Sequence, residues 1–421
     1  MKKTVVVILA AGKSKRMNSE VPKVLHPICG RPMLNYVLDL AEAVKPDKII
    51  VVLGYKYKEV KKLLKPKIKI VIQKKLLGTA DAVKRTKALL KDFTGDVLVL
   101  YADNPLLRKE TIKGLVNYHK ENASDATLLT TEVKDPQGYG RVIRDKYASI
   151  CKVVEEGDAN ELQKRIKEIN TGIICFKAKK LFQVIRSIKL NKRKKEYYLT
   201  DTIGLLYQTG ALIDSFKLSD PEEALGINSR NELALANKIM QRRINAEIMK
   251  KGVNIIDPES TFINYGTKIG RDTTIYPFTV IESNVKIGKR CRIGPFIHLR
   301  EGTRIQDDVV AGNFLEVVRS QIADKTEAKH FSYLGDCFIG RSVNIGAGTI
   351  IANFDGKRKN KTIIKDKAFI GSGTILIAPV KVGRQAITGA GAVVVKKRDV
   401  PDRTIVVGVP ARPLRRINAE E

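Results

Sequence analysis

Ile269-Gly270-Arg271-Asp272-Thr273-Thr274-Ile275-Tyr276-Pro277-Phe278-Thr279-Val280-Ile281 sets an isoleucine at every sixth position. The count continues through Ile287, Ile293, Leu299, Ile305, Ala311 and Val317. It resumes at Tyr333, Ile339, Ile345 and Ile351, and once more from Ile364 through Ile370, Leu376, Val382, Thr388 and Val394 to Val400. A period of six fits neither an amphipathic helix nor a half-buried strand. It marks a solenoid in which each coil stacks an inward residue on the one below, a parallel β-helix. Two interruptions, residues 321–332 and 354–361, are expected as surface loops, the places where solenoids often carry binding residues.

Upstream of this repeat, residues 229–250 place Leu233, Ala236, Met240, Ile244 and Ile248 at helical spacing, and Gly252 ends the pattern. Before that helix, short apolar runs at residues 5–9, 49–53, 68–72 and 97–101 alternate with helical stretches at 33–43 and 79–90. Strands alternating with helices predict a largely parallel α/β sheet, and such sheets bind ligands beyond the carboxyl ends of their strands. The loops after Leu9 and Tyr101 are therefore the places to look for chemistry. The expected division is 1–228 for the α/β domain, 229–250 for a linking helix and 251–421 for the coil with its tail.

A chain of 421 residues with 43% hydrophobic composition can build two such cores. Lys and Arg outnumber Asp and Glu by 77 to 45, a formal charge of +32, but the lysines are scattered with few aromatics between them. That pattern reads as solvated surface rather than a nucleic-acid stripe. Cys29, Cys151, Cys175, Cys291 and Cys337 are far apart and form no CxxC pair, which argues against both a disulfide framework and a zinc site and fits a reducing cytoplasm. The apolar run at residues 4–11 is only strand length and leads into a basic glycine loop, so it reads as a first strand rather than a signal peptide. No stretch reaches the roughly 18 apolar residues of a membrane span.

That loop, Leu9-Ala10-Ala11-Gly12 followed by Lys13-Ser14-Lys15-Arg16, offers small residues for close approach, amides to cradle phosphate and Arg16 to neutralise it. Together with Pro22-Lys23, Gln73, Leu77-Gly78-Thr79, Tyr101-Ala102-Asp103, Gly138-Tyr139-Gly140 and Asn170-Thr171-Gly172, it resembles the sugar-1-phosphate nucleotidyltransferases. With the hexapeptide repeat attached, nearly the whole chain resembles the bifunctional N-acetylglucosamine-1-phosphate uridyltransferase/glucosamine-1-phosphate acetyltransferase family.

The resemblance implies a Rossmann-like nucleotidyltransferase domain followed by a left-handed parallel β-helix, a homotrimer with acetyl sites between subunits, and a place in cell-wall precursor synthesis. It implies UTP and N-acetylglucosamine 1-phosphate as front-site substrates, and acetyl-CoA and glucosamine 1-phosphate at the coil, with no nucleic acid and no membrane as partners. The nucleotide falls to Leu9, Ala10, Ala11, Gly12, Lys23, Gln73, Gly78, Thr79, Tyr101 and Asp103, with Gln73 offering uracil a donor and an acceptor. The sugar falls to Gly140, Glu155, Asn170 and Asn228. Asp103 and Asn228 would hold Mg²⁺ through hard oxygens, and Lys23 and Arg16 would offset phosphate charge.

For the acetyl site the same resemblance implies His330 as base, within Lys329-His330-Phe331-Ser332-Tyr333, whereas His26, His119 and His298 lack an evident partner. Arg300, Tyr333 and Asn344 fall to the amino-sugar phosphate, and Ala347, Asn353, Phe354, Lys359, Ser372 and Ala390 to acetyl-CoA. Three positions depart from the family: Val318 stands where it has a substrate-binding lysine, Phe354 where it has a tyrosine, and residues 407–410 replace a segment with a CoA-contacting arginine. Ala102, where the family usually has glycine, narrows the loop after Tyr101. Two rival readings remain, a uridyltransferase whose coil only assembles the trimer, and a non-catalytic scaffold; retention of Arg16, Lys23, Asp103 and Asn228 argues against the second.

Overall fold

The computed structural model describes residues 3–13 and 15–416; Ser14 of the glycine loop and the ends of the chain lie outside them. The chain divides between Asn237 and Lys238 into two compact units, and the division falls inside the helix Arg230–Met249.

In the first unit nine strands form one sheet: β1 Thr4–Ala10, β2 Lys48–Leu53, β3 Lys69–Ile72, β4 Asp96–Tyr101, β5 Ala126–Glu132, β6 Gly140–Arg144, β7 Ile150–Val154, β8 Glu168–Lys177 and β9 Ile213–Lys217. Their order is β9-β5-β8-β4-β1-β2-β3, with the β6–β7 hairpin hanging from β8. All seven residues of β1 are buried, as expected of a strand covered by helices on both faces. β1 to β4 run parallel, and the order turns at β1, which pairs with both β2 and β4. The crevice beyond the carboxyl ends of β1 and β4 is thus a topological switch point.

The sheet is less parallel than its sequence implies, because β8 runs antiparallel between β4 and β5. Its register shifts between Asn170 and Ile174. That irregularity sets Asn170-Thr171-Gly172 beside the end of β4. Gly172 has φ of +87°, and a Cβ there would lie 3.0 Å from the Tyr101 ring.

The second unit winds short strands into three sheets, and within each sheet the strands up to Thr404–Val407 pair in parallel with the strand one coil later. Ile275 stands beside Ile293 and Ile293 beside Ala311; Ile281 stands beside Leu299 and Leu299 beside Val317. These inward residues form one continuous core. The corners repeat every six residues too: Asp272, Phe278, Asn284, Arg290 and Phe296 all have φ between +51° and +62°. Bulky residues rarely adopt that region, so the stacking of the coils must offset the strain.

The first interruption is a correction. Residues 321–332 are not a loop, because the strands Gln321–Ile322 and Glu327–Ala328 continue the coil. The repeat instead takes two five-residue steps, from Val317 to Ile322 and from Leu334 to Ile339, all four of which are buried. Leu334, not Tyr333, is the inward residue; Tyr333 is half-buried. The second interruption is a true loop at 354–361, closed by a bridge between Phe354 and Lys359.

Thr388, the polar residue of the last series, is fully buried and satisfied, accepting from the Gly371 amide at 3.0 Å and pairing with the Thr374 hydroxyl at 2.9 Å. The C-terminal tail continues the coil with Thr404–Val407 and folds back as Arg412–Arg416. Among the described residues no helix is long and apolar enough to cross a membrane, and none of the five cysteines is in a disulfide.

Candidate active sites

At the switch point, Ala102 N–H donates to the Leu9 carbonyl at 3.0 Å and ties the loops after β1 and β4 together. Leu9, Ala10 and Ala11 are buried, whereas a Cβ on Gly12 would meet nothing within 4 Å. The loop therefore has open space beside Gly12. Lys23, in the 3₁₀ turn Lys23–Leu25, is only 9% exposed. Its ammonium bridges the Asp103 carboxylate and, at 2.9 Å, Asn228 Oδ1. Two oxygens from distant parts of the chain thus converge on a single cationic centre.

A cavity of about 360 Å³ opens beside them and brings together Arg16, Thr79, Tyr101, Asp103, Gly140, Glu155, Asn170 and Asn228. Asn170 is buried, and its Oδ1 has no partner among the described residues. A buried orphan acceptor is costly unless a ligand supplies a donor. Glu155 accepts from the Thr200 hydroxyl at 2.8 Å, and burial holds its carboxyl above the usual range. Behind it lies a second recess of about 390 Å³ that includes Glu155, Asp158, Tyr198 and Asp201. There burial, reinforced by Glu155 and Asp158, pushes the Asp201 carboxyl up to about 6.

Gln73 is 3% exposed and its amide nitrogen is committed within the protein, donating to the Gly78 carbonyl at 3.0 Å and to Asp81 Oδ2 at 2.8 Å. The expectation of a donor and an acceptor for the base is corrected: only the acceptor, Oε1, remains to be offered. Gly78 itself has φ of +98°, and a Cβ would lie 2.5 Å from the Tyr197 carbonyl, so only glycine fits.

Glu232 was missed in the sequence. One of its oxygens accepts from the amides of Asn228 and Ser229, at 2.7 and 2.6 Å, and from the Ser229 hydroxyl at 2.8 Å, which fixes the backbone that carries Asn228. The signal was there: Ser229-Arg230-Asn231-Glu232 is the S-x-x-E pattern of a helix start.

In the second unit a cleft of about 440 Å³ brings together His330, Asn344, Ala347, Ser372 and Ala390. His330 is exposed and makes no hydrogen bond with the described residues. Arg300, Tyr333 and Asn353 do not line this cleft. They gather along one sheet, where Glu316 is in register with His298 and Tyr333. Arg300 donates to Glu316 at 3.1 Å, and buried Asn353 donates to the Tyr333 hydroxyl at 3.4 Å and to Asp336 at 2.6 Å. Phe354 and Lys359 are exposed in the loop. Val318 is 1% exposed yet outside the solenoid core. Arg319 makes a two-pronged pair with Asp336, both bonds at 2.7 Å, and this pair holds the Asp336 carboxyl below its ordinary range. It does not stand free to replace the missing lysine.

The two units carry the marks of two enzymes on one chain, a nucleotidyltransferase and a transferase of the hexapeptide-repeat class. Residues 6–173 match the MobA-like NTP transferase domain, and residues 266–296 match the bacterial transferase hexapeptide of six repeats. The second unit is accordingly a left-handed parallel β-helix. The chain is 40% identical to the bifunctional protein GlmU of Listeria monocytogenes serotype 4a, over 96% of this chain and 95% of that one. It is 43% identical to bifunctional protein GlmU of Thermosipho africanus, over 96% and 94%, and 40% identical to that of Shouchella clausii, over 95% of each. The chain belongs to the GlmU family. It is an enzyme of UDP-N-acetylglucosamine synthesis with a uridyltransferase and an acetyltransferase activity, and the nucleotidyltransferases of this class use a divalent metal.

Proposed function

We propose that the front cavity binds UTP and N-acetylglucosamine 1-phosphate with Mg²⁺, and that the coil binds acetyl-CoA and glucosamine 1-phosphate, in a cytoplasmic homotrimer. The observation that carries the front-site reading is the convergence of Asp103 and Asn228 on the Lys23 ammonium at the switch point. Oxygens that already share one cation fit Mg²⁺, which when bound would neutralise phosphate charge. No group of three or more His, Cys, Asp or Glu among the described residues could hold a metal, so phosphate and water would complete its shell.

The residues then divide the work. The Gly12 loop approaches the triphosphate, Gln73 meets the base, and Asn170 and Glu155 receive the sugar, whose N–H or O–H groups satisfy the orphan Asn170 oxygen. The sugar-phosphate oxygen attacks the α-phosphorus of UTP and pyrophosphate leaves. Lys23 and Arg16 offset the charge that builds up, and no protein nucleophile is needed.

At the coil, His330 takes a proton from the sugar amine as its nitrogen attacks the thioester carbonyl; the C–S bond breaks and the CoA thiol leaves. Arg300, Tyr333 and Asn353 do not line the His330 cleft, which supports sites completed by a neighbouring copy. The exposed rings of Phe278, Phe296 and Phe314 stack at 5.0 and 4.9 Å between centroids. Such an apolar ladder on a subunit surface fits burial against another subunit. Sedimentation should give three chains per particle, and uridyl transfer should favour N-acetylglucosamine 1-phosphate over glucosamine 1-phosphate. A monomer, or equal use of the two sugars, would refute the corresponding part.

A further inference from the structure

We infer that Asp81 selects the pyrimidine, by fixing which end of the Gln73 amide the nucleobase meets. The inference rests on the assignment of Gln73 to the base. A carboxamide is nearly symmetric in shape, and turning it by 180° exchanges a donor for an acceptor. The protein around Gln73 removes that freedom. Both neighbours of its nitrogen, the Gly78 carbonyl at 3.0 Å and Asp81 Oδ2 at 2.8 Å, are acceptors only. In the turned amide, Oε1 would face two oxygens at those distances.

Asp81 is itself held. It lies in the first turn of the helix Thr79–Lys84, and its Oδ2 also accepts from Arg85 Nε at 2.8 Å. That ion pair keeps the carboxylate turned toward Gln73. Gln73 Oε1 accepts from no described residue and is not among the buried unpaired atoms, so the little surface Gln73 keeps includes its acceptor.

An acceptor at this point distinguishes the pyrimidines. Uracil presents an N3–H that donates to it, whereas cytosine presents a lone pair at N3, and two acceptors repel. A site built to hydrogen-bond one partner rejects the analogue that leaves the bond unmade. Asp81 touches neither base nor phosphate in this account; it is a positioning residue, and its effect is on nucleotide choice.

The test is kcat/KM for UTP and for CTP, at a fixed concentration of N-acetylglucosamine 1-phosphate, in the full chain and in D81N and Q73L, with thermal unfolding as a check of folding. An asparagine at 81 can offer either an acceptor or an N–H, so the turned amide would face one repelling oxygen, the Gly78 carbonyl, instead of two. D81N should narrow the UTP-to-CTP ratio roughly tenfold, the worth of one neutral hydrogen bond, mainly through a gain on CTP. Q73L should lose discrimination as well. A folded D81N with the wild-type ratio, beside a Q73L that has lost it, would overturn the role of Asp81 and leave Gln73 at the base. A folded Q73L with the wild-type ratio would overturn the base assignment and this inference together.

Discussion

Replacing Lys23 by methionine removes the ammonium that joins Asp103 to Asn228 while keeping a side chain of similar length. Lys23 and Asp103 side chains are 10% and 20% exposed. Breaking a buried pair by deleting one partner costs about 3–5 kcal/mol; the fifth of Asp103 still in water sets the cost at the low end, about 3 kcal/mol. In a unit of this size that is roughly 6–12 °C in Tm. A divalent cation should fill the same gap. In the wild type it must displace the ammonium from the two oxygens, whereas in the variant they are free. Mg²⁺ should therefore raise the Tm of Lys23→Met more than that of the wild type, closing most of the difference seen in EDTA. Uridyl transfer should still fall by on the order of 10²- to 10³-fold, because the charge that offsets the reacting phosphate is gone. Thermal unfolding followed by circular dichroism, with Mg²⁺ and with EDTA, reads the first effect. Equal Mg²⁺ increments in the two proteins would show that metal and ammonium do not share these oxygens.

Asp201→Asn should gain stability over the wild type as pH rises. The Asp201 carboxyl, ordinarily near 3.8, is held at about 6 in the folded chain, so its contribution is full below 3.8 and is lost as pH climbs through 6. The Tm difference between variant and wild type should grow between pH 4 and pH 7 and then level off; a difference independent of pH would refute it. For Val318→Lys, the expected result is a lower KM for glucosamine 1-phosphate at unchanged kcat, with a Tm loss of a few degrees. The flexible stem can carry its ammonium out from a buried position, but at a packing cost, and Arg319 is already tied to Asp336. An unchanged KM would show that no phosphate passes there.

The six-residue period made the coil legible because a solenoid repeats one burial pattern, and the same regularity hid its two slips. Tyr333 and Leu334 are both large, so counting alone could not tell which faces inward; only the five-residue steps at Ile322 and Ile339 decide it. The direction of β8 was hidden for a related reason, since an apolar run buries equally well parallel or antiparallel. Candidate site residues could be picked out in the sequence because they fall in short motifs of marked composition, such as Leu77-Gly78-Thr79 and Tyr101-Ala102-Asp103. Their partnerships could not: Lys23 meets Asn228 across 205 positions, and the donors of Gln73 are spent only once the helix places Asp81 beside them. Glu232 needed no fold at all, only attention to Ser229 three residues earlier.

The central claim is that one chain carries two independent sites. One mixture of glucosamine 1-phosphate, acetyl-CoA, UTP and Mg²⁺, followed for thiol release and for UDP-sugar, tests it with Asp103→Ala and His330→Ala. Asp103→Ala should release CoA thiol at the wild-type rate and form no UDP-N-acetylglucosamine. His330→Ala should lose roughly 10²-fold or more in thiol release, yet uridylate added N-acetylglucosamine 1-phosphate normally. A folded Asp103→Ala that fails in both steps, or a His330→Ala that acetylates at full speed, would contradict the account.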